Sequence, residues 1–152
     1  ADHGISGSAW IYDWKAKSAK KLSAGETFTA TFGGSPREAW SYFIVAPLLG
    51  SGIGFLGDEG KFASAGRQRV SKITEAPSKG VVATVIFADG EKSVILHGYS
   101  DRPVHAEASG GKASLIDYDK QTSHFRVEVN PAADGREVVV SIAPEGPLPP
   151  LN

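Results

Sequence analysis

Short apolar runs separated by glycine and proline turns are the feature that most constrains the fold of this chain. The runs recur about every ten residues, and none keeps helical spacing over roughly eleven residues or more. Eighteen glycines and nine prolines among 152 residues supply many of the breaks. Because glycine and proline interrupt helices and permit tight turns, the pattern predicts an all-β chain.

The N-terminal third contains three segments that predict strands. Residues 8–14 place three aromatic side chains two residues apart, on one face of a strand: Trp10, Tyr12 and Trp14. Residues 26–32 alternate in the same way, with Phe28 and Phe32 on one face and threonines on the other. Residues 40–48 form a nearly continuous apolar run, which predicts a central strand covered on both faces. The polar residues 15–21 are predicted to be a connection.

The rest of the chain predicts a series of short strands. They lie near residues 53–56, 68–75, 81–87, 93–97, 104–107, 113–119, 124–129 and 137–142, which makes about ten strands in all. Phe62 is expected to fill the core from the loop after the first of these.

Three glycine-containing turns, at residues 88–91, 109–112 and 133–136, indicate hairpins and therefore antiparallel pairing. An antiparallel two-sheet β-sandwich fits these features best. We predict one sandwich domain over residues 1–143 and a proline-rich tail over 144–152, where proline cannot continue a ladder.

Charge and composition exclude several classes of partner. The net charge of −1, with both signs interspersed, provides no basic surface for nucleic acid or an anionic membrane. The longest apolar stretch, residues 42–49, is too short to span a bilayer. The chain has no cysteine, so it has no disulfide framework or thiolate metal site, and both a cytoplasmic and an exported location stay open. Since it begins with Ala1 and lacks methionine, we expect it to be part of a longer polypeptide.

Candidate catalytic and metal-binding groups are few. His97 and His105 lie on consecutive predicted strands and, with Asp101 and Arg102, are the best candidates for a small active site or metal site. Hydrogen-bonded or surface histidines are the preferred interpretation, because the spacing matches no recognised ligand pattern. His124 is predicted to be isolated.

Two pairs of carboxylates suit acid–base chemistry by residue type. They are Asp58 with Glu59 and Asp117 with Asp119, and both pairs are also ordinary on a solvent-facing surface. The segment Gly50–Gly54 contains a serine but forms neither a nucleophile elbow nor a phosphate loop. We therefore predict no catalytic residue, no metal ligand and no cofactor in this chain.

The aromatic residues are candidates for a binding surface. Aromatic rings stack on sugar rings in carbohydrate sites, yet aromatic residues two apart on a strand more often pack in a core or between domains. We assign four residues to a ligand-binding or interdomain surface: Trp10, Tyr12, Trp14 and Trp40.

Several short motifs resemble one family. Residues 42–48, Tyr-Phe-Ile-Val-Ala-Pro-Leu, are followed by the glycine-rich residues 53–62, Ile-Gly-Phe-Leu-Gly-Asp-Glu-Gly-Lys-Phe. Together with Trp-Ile-Tyr-Asp-Trp at 10–14 and Gly98-Tyr99, they resemble the C-terminal β-domain of α-galactosidase and raffinose-synthase-like glycoside hydrolases.

The resemblance implies an accessory domain that packs against a catalytic (β/α)₈ barrel. The catalytic aspartates of that family lie on the barrel, which needs about 250 residues and has no counterpart here. The expected partner is thus a parent catalytic domain, and the alternative is a carbohydrate bound by an autonomous module of a secreted protein.

Overall fold

The computed structural model describes residues 7–31, 33–35, 37, 39–76, 80–133 and 135–146. Within these residues it contains eleven strands: β1 (Ala9–Asp13), β2 (Ser18–Leu22), β3 (Phe43–Pro47), β4 (Ile53–Asp58), β5 (Val70–Ala76), β6 (Gly80–Ile86), β7 (Val94–Ser100), β8 (Val104–Ser109), β9 (Gly111–Asp119), β10 (His124–Pro131) and β11 (Glu137–Pro144).

Every paired strand runs antiparallel to its neighbours, and none of the described residues is helical. The predicted all-β, antiparallel fold is confirmed. No helix in the described part of the chain has the length and apolar character needed to cross a membrane.

The chain divides into two compact units, residues 1–48 and 49–152. Whether residues 1–143 behave as one domain stays a prediction. Part of the predicted tail belongs to a strand, because Pro144 closes β11 opposite Val104 of β8. The predicted tail beyond Gly146 lies outside the described residues.

The first unit contains a three-stranded sheet in the order β2-β1-β3. The predicted connection at residues 15–21 was wrong over its second half, which forms β2. The hairpin turn before β2 is stabilised by Asp13, whose Oδ1 accepts hydrogen bonds from the backbone N–H groups of Lys15 and Ala16, both at 2.9 Å. A short side chain that caps a turn permits a hairpin even where the following strand is rich in lysine.

Two other strand predictions in the first unit were wrong. Residues 26–31 form no strand, although Phe28 and Ala30 are half-buried and the alternating threonines at 27, 29 and 31 are exposed. Phe28 packs edge-on against Phe43, with ring centroids 5.0 Å apart, so side-chain packing alone accounts for the alternation. Phe32 lies outside the described residues. The apolar run at 40–48 forms the edge strand β3 rather than a central strand.

The second unit is a two-sheet sandwich. One sheet has the order β4-β7-β10-β9 and the other the order β5-β6-β11-β8. Alternate residues of the strands point between the sheets and form a core of fully or almost fully buried side chains: Ile53, Val81, Val85, Phe87, Val94, Leu96, Val104, Phe125, Val127, Val129, Val138, Val140 and Ile142. The predicted two-sheet sandwich is confirmed in this unit.

The three glycine turns join strands of different sheets instead of hydrogen-bonded neighbours. The turn at 88–91 leads from β6 to β7, the turn at Gly110 from β8 to β9, and residues 132–136 from β10 to β11. The predicted hairpins at these turns were therefore wrong. A tight turn with a positive φ, such as the 84° of Gly110, reverses the chain whether the next strand pairs in the same sheet or crosses the core.

Candidate functional site

The aromatic side chains assigned to a binding surface differ in their exposure. Trp10 and Tyr12, on β1, are 7% and 4% exposed. Trp14 is half-buried, and Trp40 is 45% exposed. Of these four side chains, Trp40 is therefore the most exposed. The assignment of these four residues to a ligand or interdomain surface stays a prediction.

Lysines accompany all three tryptophans. The Nζ atom of Lys17 lies 3.7 Å from the ring centroid of Trp14, and that of Lys15 lies 5.1 Å from the centroid of Trp40. Lys21, the cross-strand partner of Trp10, has its Nζ atom 5.8 Å from that ring. Such cation–π contacts occupy part of the ring face that a sugar would use.

The two edges of the three-stranded sheet differ in chemistry. The outer strand β2 carries the exposed residues Lys20 and Lys21, which protect an edge from pairing with another chain. The other outer strand, β3, presents Val45 with 43% of its surface exposed. No strand among the described residues pairs with the free side of β3. Among the described residues, the β3 edge is therefore an outer strand edge that carries an exposed apolar side chain.

The second unit brings two histidines and a glutamate together on one sheet. His97 of β7 lies opposite Arg126 of β10, and Tyr99 lies opposite His124, so all four side chains share the face that points away from the core. The Nδ1 atom of His97 is 3.2 Å from Nε2 of His124. Among the described residues, Glu59 joins this pair to form a cluster whose potential ligand atoms all lie within 4.8 Å of one another.

Glu59 is held in place from two sides. Its backbone N–H donates to the carbonyl of Ile95 on β7 at 2.9 Å, which extends the sheet beyond the end of β4. Its Oε2 atom accepts from Nε of Arg126 and pairs with Nη2 of the same side chain, each at 2.9 Å. These contacts orient the carboxylate beside the histidine pair.

The histidines of this cluster are largely withdrawn from water. His97 is 2% exposed, and His124 is half-buried. Burial lowers the pKa of His124, because the charged imidazolium loses hydration. Glu59, Asp117 and Asp119 act in the opposite direction, and Arg126 acts with burial. The neutral imidazole is thus the favoured form at neutral pH.

The sequence missed this cluster because its members are far apart in the chain. His105, the predicted partner of His97, lies exposed on β8 in the other sheet. Arg102, from the same predicted group, donates through Nη1 to the carbonyl of Glu145 at 3.2 Å. His124, predicted to be isolated, is the true neighbour of His97. Strand register decides this proximity, and the predicted strands carried no register.

Three of the four carboxylates considered for acid–base chemistry are held by other groups. Asp58 is buried, and its Oδ2 atom lies 2.8 Å from Nε of Arg69, whereas Glu59 faces Arg126. Asp119 accepts hydrogen bonds from the N–H of Gln121 and the hydroxyl of Thr122, both at 2.8 Å. These bonds lower the pKa of Asp119 and cap the turn after β9.

Arg69 is the centre of a buried charge network. Its Nη1 and Nη2 atoms bond both oxygens of Glu91 at 2.6 Å, and Nη1 also donates to the carbonyl of Ile86 at 2.6 Å. With Asp58 on its Nε, the guanidinium is paired on two sides. The network connects β4, the start of β5 and the loop after β6, so its evident role is structural.

An open depression lies next to this network. It is lined by Lys61, Phe62, Arg67, Phe87 and neighbouring backbone. Phe62 is 53% exposed, so the prediction that it fills the core was wrong. Phe87 occupies the core instead, at the end of β6.

No protein-family model matches the chain, and a search of curated proteins gives no match. Its function therefore has to be inferred from its own residues.

Proposed function

We propose that the chain is a non-catalytic accessory β-domain of a carbohydrate-active enzyme and that its β3 edge docks on a catalytic barrel. The observation that carries this proposal is the contrast between the two edges of the three-stranded sheet. One edge bears exposed lysines, and the other bears the exposed Val45.

The proposal rests on the free-energy cost of exposing the apolar β3 edge to water. Exposed strand edges are normally protected by charge, because their free N–H and C=O groups can pair with another chain. Val45 adds apolar surface to these groups, and the exposed Trp40 precedes the same strand. Covering apolar surface contributes about 25 cal/mol per Å². A partner that contacts this edge would therefore gain hydrophobic burial.

The engagement of the candidate acids supports a non-catalytic role. Asp58 and Glu59 are each held by an arginine at 2.8–2.9 Å. Each of these carboxylates is therefore engaged in an ion pair with a neighbouring guanidinium instead of facing a second carboxylate. The resemblance of residues 10–14, 42–48 and 53–62 to the β-domain of α-galactosidase-like enzymes suggests the class of the parent protein.

The docking proposal can be tested with the parent reading frame. That frame should encode a (β/α)₈ barrel, and the separately produced barrel should bind this chain in titration calorimetry. Val45→Lys should weaken binding about tenfold or more, because a charge would replace an apolar side chain that the bound barrel covers. Ile116→Lys is the matched control, since Ile116 of β9 has a similar exposed fraction of 45%. A frame without a glycoside hydrolase domain, or equal affinities of the two variants, would overturn the proposal.

The second candidate function is autonomous carbohydrate binding. The exposure of Trp40 favours it, because a free indole face can stack on a pyranose ring. Titration against galacto-, gluco- and xylo-oligosaccharides at millimolar concentration should then give heat that Trp40→Ala abolishes. If none of the three gives heat, this candidate is discarded. The ammonium of Lys15 near the Trp40 ring counts against it.

A further inference from the structure

We propose that Glu59, His97 and His124 form a binding site for one divalent transition-metal ion of the zinc type. The three residues come from the segment after β4, from β7 and from β10. Two imidazole nitrogens and one carboxylate oxygen are a recognised donor set for zinc, with a fourth position left for water. This assignment is independent of the docking function and differs from the sequence-based expectation of no metal ligand.

The separation of the two nitrogens fits a shared ion. Zinc lies about 2.0–2.1 Å from a histidine nitrogen, and a tetrahedral angle between two such bonds puts the nitrogens about 3.3 Å apart. The observed distance between Nδ1 of His97 and Nε2 of His124 is 3.2 Å. The rings are nearly perpendicular, at 86°. An ion can therefore bind both nitrogens with little movement of the backbone.

The third donor needs only a small adjustment. A carboxylate oxygen of Glu59 lies within 4.8 Å of one ring nitrogen of each histidine. Glu59 is partly exposed, so its side chain can rotate toward an ion and can leave the fourth position open to water. Arg126 bonds Oε2 of this carboxylate at 2.9 Å. A hydrogen-bonding partner of this kind orients a ligating carboxylate and is common around metal sites.

The charge around the cluster favours a cation. Three carboxylates act on His124, those of Glu59, Asp117 and Asp119, against the single guanidinium of Arg126. The register places Asp119 opposite His124 and Asp117 opposite Arg126, so both aspartates belong to this face of the sheet. Burial favours neutral imidazoles, which have the lone pairs that a metal requires. Nitrogen donors also select zinc-like ions over magnesium and calcium.

The competing explanation is a metal-free hydrogen bond between the two imidazoles. One ring nitrogen would donate a proton and the other would accept it, at the same 3.2 Å. The two explanations differ in their response to added metal. A site predicts one equivalent of bound zinc and a link between β7 and β10, whereas a hydrogen bond predicts neither.

The test is titration of the EDTA-treated chain with ZnCl₂ in calorimetry, with thermal unfolding measured in parallel. We expect one equivalent of zinc to bind with micromolar or tighter affinity and to raise Tm by about 5 °C or more, while MgCl₂ has no effect. CoCl₂ should produce the visible absorption bands of a four- or five-coordinate ion. The absence of both zinc heat and a Tm shift at 1 mM metal would overturn the proposal.

Variants locate the site. His124→Gln should weaken zinc binding at least about 100-fold and Glu59→Gln at least about 10-fold, because removal of a ligand costs no less than the roughly 10-fold to 100-fold lost when a group that orients a ligand is removed. The chain has four histidines, so the double variant of His3→Gln with His105→Gln is the matched control and should keep full affinity. Circular dichroism is the check that each variant folds, and Glu59→Gln serves if the histidine variants do not fold. Loss of binding in the double variant, or unchanged affinity in folded Glu59→Gln and His124→Gln, would contradict the assignment.

Discussion

Arg69 shows how single residues stabilise the connection between the two sheets of the sandwich. It is 8% exposed, and its charge is compensated by Asp58 of one sheet and by Glu91 of the loop after β6. A buried guanidinium is tolerated only when it is paired and hydrogen-bonded in this way. Sequence patterns cannot reveal such a network, because Asp58 precedes Arg69 by 11 residues and Glu91 follows it by 22.

Glu91 makes the stability of the chain depend on pH. Its hydrogen bonds from Arg69, and then that from the N–H of Ala88, lower its pKa below the ordinary value of 4.5. The ion pair therefore stabilises the fold fully above pH 4.5, and this contribution is lost as the pH falls through the lowered folded-state pKa. Urea unfolding between pH 7 and pH 3 measures it.

Glu91→Gln should lower the free energy of unfolding by about 2 kcal/mol at pH 7 and should flatten the decline at acid pH. The exposed Glu137 provides the control, since Glu137→Gln removes a carboxylate without removing this ion pair. If Glu91→Gln shows the same acid slope as the unmodified chain, the ion pair does not govern this transition.

Gly98 is required by close packing within one sheet. A Cβ atom at this position would lie 2.5 Å from the carbonyl oxygen of Gly54 and 2.7 Å from Cζ of Phe125. Gly98→Ala should destabilise the chain by about 1–3 kcal/mol, because the core must shift to admit the methyl group. Gly33→Ala is the matched control, since nothing lies within 4 Å of its added Cβ. Equal midpoints in urea would contradict the predicted crowding.

At the scale of the strands, the pattern of apolar residues predicted the positions of the strands but not which strands pair. All eight strands from Ile53 onward were predicted near their observed positions, because Val- and Ile-rich runs between turns are strong strand signals. The N-terminal unit was harder. The lysine-rich β2 has little apolar content, and residues 26–31 alternate without entering a ladder.

Pairing within the sandwich should control local opening. β7, β10, β6 and β11 have neighbours on both sides, whereas β5 and β9 are outer strands. A central strand is paired with a neighbour on each side, so each of its amides can donate to one of the two neighbours. These amides should therefore exchange hydrogen most slowly. Hydrogen–deuterium exchange with mass spectrometry should show faster exchange in residues 70–76 than in residues 137–144. Equal protection of β5 and β11 would contradict this order.

At the scale of the whole molecule, the cluster of Glu59, His97 and His124 could not be predicted from the sequence, because it depends on which strands pair. Turn residues show where the chain reverses but do not show which strands become neighbours. His97 and His124 are adjacent because β7 pairs with β10, two strands that the chain visits 27 residues apart. Aromatic and charged residue types marked Trp40 and His97 as candidates, yet only the ladder placed His97 beside His124 and Glu59.

The second unit should fold when produced alone. Residues 49–152 contain the complete two-sheet core, from Ile53 to Ile142. A fragment of this size with its own core is expected to unfold cooperatively. Circular dichroism and urea unfolding of the fragment provide the measurement. A non-cooperative or unfolded fragment would instead favour the single domain predicted over residues 1–143.

The turns that cross between sheets also affect the kinetics of assembly. Because β6 is followed by β7 of the opposite sheet, and β10 by β11, the ladders β6–β11 and β7–β10 must close long loops before they form. Within the sandwich, the ladders β5–β6 and β9–β10 join consecutive strands and can form first, before the long-range ladders close. Chains of this topology characteristically reach the native state in milliseconds to seconds, and during that interval the apolar strands of the sandwich are exposed to intermolecular association.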